Sequence, residues 1–218
     1  MASSRTHGFS AVVAASLGAL AITVVVVRSD DTTSSAEPPS APPSATATSS
    51  TTPSSVAPGT LGAATTKRGA AVRATPSTDA TVISRLRAGV LLPIADEREG
   101  FFSVLTPCEI RGWIASADVD VHPRAAGDPR SLRDTTIVID PGHGGGLTGA
   151  VGPSGLAEKE PNADIARRLA SRLGGSRVFL TLSGDFDAGL EYRAAIADAL
   201  RSHVFLSIHN NTEPDGTS

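Results

Sequence analysis

The sequence has a single cysteine, Cys108, among 218 residues. One cysteine excludes a disulfide within the chain and a zinc site built from several cysteines. Any metal would therefore be held by histidines and carboxylates. Positive charge is also scarce, because 19 lysines and arginines stand against 22 acidic residues and leave a net charge of -3. This balance lacks the basic footprint of a nucleic-acid-binding protein.

Residues 9–27 contain no charged side chain, and they follow a short polar segment at residues 1–8 that we assign to the cytoplasm. As a helix rising 1.5 Å per residue, this run would cross a hydrocarbon core of about 30 Å. It is expected to be either a cleaved signal peptide or an uncleaved transmembrane anchor. The anchor is favoured because Arg28 follows the run with no small-x-small cleavage site.

Residues 28–66 are dominated by Ser, Thr, Pro and Ala, a composition that predicts a disordered linker. From residue 67 to residue 121 the pattern changes to short apolar segments separated by turn residues. Closely spaced segments of this kind predict a small all-β barrel. Residues 122–133, which contain Pro, Gly and Arg, are expected to be a second linker.

Three motifs in the β-rich segment resemble the bacterial SH3-like domain: VRATPS at 72–77, VISRLRAG at 82–89 and GWI at 112–114. The resemblance implies a domain that binds cell-wall peptide or glycan, or one that serves as a spacer. Trp113, the only tryptophan, is a candidate platform for wall binding. Alternatively, its ring packs the barrel.

The segment TIVIDPGHGGG at residues 136–146 is the centre of the second half. Its β-branched run predicts a buried strand, which the Asp-Pro-Gly turn ends so that His143 is displayed. The glycines after His143 allow a metal, a substrate or another chain segment to approach closely. A phosphate-binding loop or a plain connection would have a similar pattern.

Beyond this strand the pattern predicts helix, strand, helix and strand. The first helix starts at Pro161, and its apolar stripe is Ile165, Ala166, Leu169, Ala170 and Leu173. A second helix over residues 187–201 should point Leu190, Ala194, Ala197 and Leu200 inward, and the third strand covers residues 204–208. This alternation predicts an α/β domain with a parallel sheet, whose sites lie at the carboxyl ends of the strands.

His143 and His209 both follow predicted strands, and Glu158 lies near the start of a predicted helix. Two imidazoles and one carboxylate are the ligand set of a catalytic zinc ion that keeps a fourth position open. Glu158 has a second interpretation, as an acid that complements the helix dipole.

Three motifs resemble the zinc-dependent N-acetylmuramoyl-L-alanine amidase family: VIDPGHGG at 138–145, GAVGPSGLAEKEPN at 149–162 and FLSIHNN at 205–211. The resemblance implies that His143, Glu158 and His209 bind Zn²⁺. It also implies hydrolysis of the amide between the lactyl group of muramic acid and L-alanine in peptidoglycan. Asp140 and Asn211 would orient these ligands, although Asp140 has an alternative role in capping its turn.

The resemblance departs from the family at Leu182, where an arginine is usual. It also implies further strands and a general-base glutamate beyond Ser218, so we expect residues 134–218 to be the N-terminal part of an incomplete α/β domain. The protein is expected outside the cytoplasm at the cell wall, membrane-anchored or secreted, with peptidoglycan as its partner. The alternative is a non-catalytic wall-binding protein with a zinc-binding remnant.

Overall fold

The computed structural model describes residues 61–210 in full and, nearer the N-terminus, the backbone of two strands. These strands, β1 (Ala11–Leu17) and β2 (Leu20–Val26), pair antiparallel as a hairpin. The described positions within residues 9–27 are therefore strand and not helix, and the valines of β2 are β-branched residues that favour extended backbone. The role of this run as a signal peptide or an anchor stays a prediction. None of the helices among the described residues is long and apolar enough to cross a membrane. The predictions for residues 1–8 and 28–60 lie outside the described residues.

Residues 62–122, here called the β-domain, form one seven-stranded sheet. The sheet order is β5-β4-β8-β7-β6-β3-β9, and every pair is antiparallel. The strands are β3 (Gly62–Thr66), β4 (Ala70–Arg73), β5 (Val82–Leu86), β6 (Leu91–Arg98), β7 (Phe101–Leu105), β8 (Arg111–Ala115) and β9 (Val119–His122). Strand β3 lies inside the predicted linker, so the linker prediction is wrong at these residues. The strand was not predicted because its sequence, GAATT, has the same composition as the linker.

Residues 136–210, here called the α/β domain, contain a parallel three-stranded sheet in the order β11-β10-β12. The prediction of a parallel sheet is confirmed. Its elements are β10 (Thr136–Pro141), α1 (Lys159–Arg172), β11 (Arg177–Leu180), α2 (Leu190–Leu200) and β12 (Val204–Ile208). Strand β10 is central and entirely buried, which explains its continuous apolar run.

The alternation of side chains along β10 divides the core between the two helices. Ile137 and Ile139 pack with Ala166 of α1, and the predicted apolar stripe of α1 lies against this cluster. Val138 points to the other face, where it joins a cluster that contains residues of α2 and of the β-domain.

The prediction for the inward face of α2 is partly wrong. Leu190 is 83% exposed and Ala194 is also exposed, whereas Tyr192 and Ile196 are fully buried. The reason is that α2 is covered on both sides, by its own sheet and by the β-domain. A single inward stripe does not describe such a helix.

The segment between the domains follows the surface of the α/β domain. The Ala125 N–H donates to the carbonyl of Leu200 (2.7 Å). His203 accepts the Thr136 N–H at Nδ1 (2.9 Å), so its Nε2 carries the proton and donates to the Gly127 carbonyl (2.9 Å). His203 thus connects β10 to the segment between the domains.

Candidate metal centre

His143 lies at the carboxyl end of β10 in a left-handed backbone conformation, with φ at 67°. This conformation is uncommon for a residue other than glycine and has to be stabilised by its surroundings. Arg193 of α2 provides that contact, because its Nη2 donates to the His143 carbonyl (2.8 Å) and its Nη1 to the Pro141 carbonyl (2.8 Å). The turn that contains His143 is therefore stabilised by two hydrogen bonds from α2.

Glu158 immediately precedes α1 and is 8% exposed, while His209 directly follows β12. One carboxylate oxygen lies 3.1 Å from His143 Nε2, and the other lies 3.2 Å from His209 Nδ1. One ligand atom of each residue lies within 4.8 Å of the others. The structure therefore brings together the three residues that the sequence predicts.

The carboxylate of Glu158 is surrounded by donors. Oε2 accepts the Ala150 N–H (3.0 Å), and Oε1 accepts the Asn210 N–H (2.8 Å) and the Asn162 amide (3.4 Å). Burial by itself raises the pKa of Glu158. These hydrogen bonds and the adjacent His143 together lower it by more, so the pKa lies below its ordinary value. Glu158 is consequently ionised at neutral pH.

Two glycines leave the space that the imidazoles occupy. A Cβ at Gly142 would lie 2.3 Å from the His209 ring, and one at Gly149 would lie 2.5 Å from the His143 ring. Gly149 also has φ at 68°, a conformation that favours glycine. Glycine at these two positions lets the His143 and His209 rings pack edge to face, with their centres 4.8 Å apart.

The donor set fits zinc. Tetrahedral coordination at 2.0–2.2 Å places ligand atoms about 3.4 Å apart. The two histidine–carboxylate separations of 3.1 and 3.2 Å are close to that spacing. The site consists of an ionised carboxylate and two imidazoles. The Glu158 side chain is 7% exposed and the His143 side chain is 28% exposed, so the carboxylate is buried while one imidazole is accessible to solvent.

Asp140 does not contact the three ligands directly. Its Oδ1 accepts from Arg193 Nη1 (2.7 Å) and from Thr181 Oγ1 (2.5 Å), and its Oδ2 accepts from Ser207 Oγ (3.0 Å). Asp140 and Arg193 are both buried. The Asp140 carboxylate thus fixes the Arg193 guanidinium, which in turn donates to the His143 carbonyl. This contact differs from both predicted roles of Asp140, direct orientation of a ligand and capping of its turn.

A cavity of about 210 Å³ adjoins His143. Ala163 and Arg167 of α1 line it, together with Leu182 and Asp185. Lys159 also lines the cavity, and its Nζ donates to the Gly145 carbonyl (2.7 Å) and to Asp185 (2.8 Å). The site therefore opens into a groove with both apolar and charged walls.

Sequence reasoning did not assign roles to Asn162, Arg193 and Asn210. Asn162 is fully buried, and a buried amide in an amphipathic helix is a signal that could have identified it. Arg193 gives no such signal, since a charged residue within a helix is usually solvated. Asn211 lies outside the described residues, so its role remains a prediction.

Trp113 lies on β8, far along the chain from the three ligands, and its side chain is half-buried. The Arg98 guanidinium lies 5.6 Å from the centre of its ring, within the range of a cation–π contact. The structure thus supports packing of one side of the ring, and its role in wall binding stays a prediction.

Comparison with known families gives two matches. Residues 68–120 match the bacterial SH3 domain, and residues 137–218 match the N-acetylmuramoyl-L-alanine amidase family. The first range lies within the β-domain and leaves out β3 and the end of β9, and the second range begins in β10. The second range includes His143, Glu158 and His209.

Individual relatives and one solved structure are named as amidases. The N-acetylmuramoyl-L-alanine amidase AmiC of Escherichia coli O6:H1 is 38% identical over 50% of this chain and 27% of its own length. The N-acetylmuramoyl-L-alanine amidase LytC of Bacillus subtilis is 42% identical over 38% of this chain and 18% of its own length. The solved structure of AmiC2 of Nostoc punctiforme is 40% identical over 37% of this chain and 46% of that chain, with a TM-score of 0.36. The chain therefore spans 27% or less of the length of these two curated relatives.

Proposed function

Because the chain carries a bacterial SH3 domain followed by a segment of the N-acetylmuramoyl-L-alanine amidase family, we propose that it works as a zinc-dependent peptidoglycan amidase. The bond cleaved is the amide between the lactyl group of muramic acid and the L-alanine of the stem peptide. This reaction takes place outside the cytoplasm, at the cell wall, whether the protein is anchored or secreted.

The convergence of His143, Glu158 and His209 is the observation that carries this proposal. These three side chains would hold the zinc ion, with Glu158 as the buried, ionised ligand. Zinc, when bound, supplies Lewis-acid polarisation of the scissile carbonyl and lowers the pKa of water to about 7. Two histidines and one glutamate leave a position open for that chemistry.

The chain's own residues prepare the site. Asn162 and the Ala150 and Asn210 N–H groups fix both oxygens of Glu158, and Arg193 fixes the backbone at His143. We assign the groove beside His143 to the stem peptide. Its apolar lining residues Ala163 and Leu182 suit an alanine methyl group, and its lining residue Arg167 suits a peptide carboxylate.

Zinc content tests the ligand set. Purified His143→Ala and His209→Ala variants should lose stoichiometric zinc, because each removes one of three ligands. The matched control is His122→Gln, since His122 bonds to Thr65 in the β-domain and should retain full zinc. Full zinc in both alanine variants would exclude the proposed ligand set.

Activity tests the reaction. The protein should release new L-alanine amino termini from purified peptidoglycan, and chelation of the metal should abolish that release. Zinc binding without any such release would favour a wall-binding protein with a zinc-binding remnant.

A further inference from the structure

Helix α2 has one face on the metal centre and another on the β-domain. Arg193 reaches the His143 carbonyl, whereas its neighbour Tyr192 donates from its hydroxyl to the Leu91 carbonyl of β6 (2.5 Å). Consecutive residues of a helix point about 100° apart, so the two side chains diverge. Any movement of α2 relative to β6 would also move Arg193.

The loop before α2 also has contacts on both sides. Ser183 Oγ donates to the Gly89 carbonyl (2.6 Å), and the Arg87 guanidinium lies 4.5 Å from the centre of the Phe186 ring. On the other side, Asp185 and Asp187 are the acceptors. Asp185 accepts the Gly145 N–H (2.6 Å), and Asp187 accepts the Gly146 N–H (2.9 Å). The loop thus joins the β-domain to the glycines that follow His143.

The β-domain also provides the N-terminal cap of α2. Glu109 Oε1 accepts the Glu191 N–H (2.9 Å), and the Gly189 N–H donates to the Pro107 carbonyl (3.0 Å). A carboxylate at this end satisfies a free N–H and interacts favourably with the helix dipole. Gly189 leaves room for this contact, since a Cβ there would overlap the Glu109 carboxylate and displace it. No side chain of the α/β domain caps α2.

The contact between the domains is a continuous apolar core. One buried cluster contains Ala63, Ala64 and Leu92 of the β-domain together with Tyr192, Ile196 and Leu200 of α2. All six are fully buried. The alanines of β3 let the helix approach the sheet closely. A mobile module on a flexible linker would not share a core in this way.

We propose that the β-domain is a positioning element of the metal centre, which it holds in place through residues 183–193, and not an independently moving wall-binding module. It acts at two places: α2 carries Arg193 to the His143 carbonyl, and the preceding loop carries Asp185 and Asp187 to Gly145 and Gly146. The inference about metal affinity rests on the proposed zinc site. The inference that the β-domain orders the backbone at Gly145 and Gly146 does not depend on zinc.

Hydrogen exchange of the Gly145 and Gly146 amides in the full chain tests the proposal without metal. Arg87→Ala removes the stacking on Phe186, and Tyr192→Phe removes only the hydroxyl that bonds to Leu91. Loss of one buried hydrogen bond corresponds to a change in equilibrium of about fivefold to tenfold. We expect Tyr192→Phe to accelerate exchange at Gly145 and Gly146 by that factor. Arg87→Ala should accelerate it by about twofold to fivefold, as expected for an exposed cation–π contact. The α1 amides should be unchanged in both variants.

Arg85→Ala is the matched control, because Arg85 is exposed on β5 two residues before Arg87. It should leave exchange at Gly145 and Gly146 as in the unaltered chain. Arg87→Lys, which keeps a cation over the Phe186 ring, should restore part of the protection. Unchanged exchange in Arg87→Ala and Tyr192→Phe would overturn the proposal, and so would an equal acceleration in α1, since that would show a general loss of stability.

Zinc affinity, measured by competition with a chelating dye, provides the second readout. Arg87→Ala and Tyr192→Phe should weaken zinc binding by severalfold, whereas Arg85→Ala should not. Equal affinity in all variants would overturn the metal part of the inference while the zinc site stood. If the unaltered chain bound no zinc, the proposed function would fail, and exchange at Gly145 and Gly146 would decide the inference by itself.

Discussion

The two faces of the three-stranded sheet are covered in different ways. On one face α1 packs against Ile137, Ile139 and Ile208, and all of these residues belong to the α/β domain. On the other face α2 is a middle layer between the sheet and the β-domain. The first face is therefore complete within its own domain, whereas the second depends on contacts with residues about 100 positions earlier in the chain.

This difference extends to the charged residues. Arg168 of α1 pairs with Asp164 at the surface, where its side chain is 75% exposed. Arg193 of α2 pairs with Asp140, and both side chains are less than 10% exposed. A surface pair contributes little to stability, whereas removing one partner of a buried pair leaves an uncompensated charge. The face towards α2 should therefore be far more sensitive to substitution.

The largest expected effect is at Arg193. Arg193→Met should lower the free energy of unfolding by about 3–5 kcal/mol, because it leaves the Asp140 carboxylate buried without its cation. Arg168→Met should cost less than about 0.5 kcal/mol, as expected for an exposed i,i+4 pair. Urea denaturation of both variants measures the difference.

Partial recovery of stability in the double variant Arg193→Met with Asp140→Asn would confirm that the uncompensated charge is the cause. Similar losses in Arg193→Met and Arg168→Met would contradict the comparison between the two faces.

The next effect concerns the apolar core. Ile196→Ala should cost about 2–5 kcal/mol, because Ile196 is fully buried between the sheet and the β-domain. Ile165→Ala on α1 should cost less, since Ile165 is only partly buried. The denaturation midpoints of the two variants at unchanged slope provide the measurement. An equal loss at both positions would show that the β-domain adds nothing to the core.

A smaller effect is expected at the helix cap. Glu109→Ala should lower the free energy of unfolding by about 1 kcal/mol, the usual value for a lost N-cap. The same substitution at Glu99, an exposed residue of the β-domain, is the matched control. Thermal unfolding should show one shifted transition for Glu109→Ala. A second, separate transition would mean that the two domains unfold independently.

The smallest effect is a dependence on pH. The hydrogen bond from Lys159, followed by that from the Gly145 N–H, lowers the pKa of Asp185 below its ordinary value of 3.8. A lowered pKa means that this carboxylate stabilises the folded state above pH 3.8 and that the contribution disappears as the pH falls through the folded-state pKa.

The chemical shift of the Gly145 amide should therefore titrate below pH 3.8, and this step should be absent in Asp185→Asn. Because the Asp185 side chain is 63% exposed, the energetic effect is small. A titration midpoint at or above 3.8 would contradict the assigned contacts.

Much of this structure could be predicted from local pattern. The continuous apolar run of β10, the stripe of α1 and the positions of His143 and His209 after strands follow from spacing, and the structure agrees with each. The failures have a shared cause. Strand β3 resembles a linker in composition, and within the apolar run at residues 9–27 the described segments Ala11–Leu17 and Leu20–Val26 are strands although their hydrophobicity also suits a helix. In both places composition was used to predict backbone conformation, which it does not determine. The role of the run at residues 9–27 as a signal peptide or an anchor stays a prediction.

The ligand set of the candidate site could be inferred from the order of elements, because strand ends in a parallel sheet meet at one edge, where two imidazoles and a carboxylate come together. The contacts that support that site could not be inferred in this way. Periodicity indicates that a residue is buried but not which surface buries it, so the contacts of Tyr192 with Leu91 and of Arg193 with His143 depend on packing between distant segments.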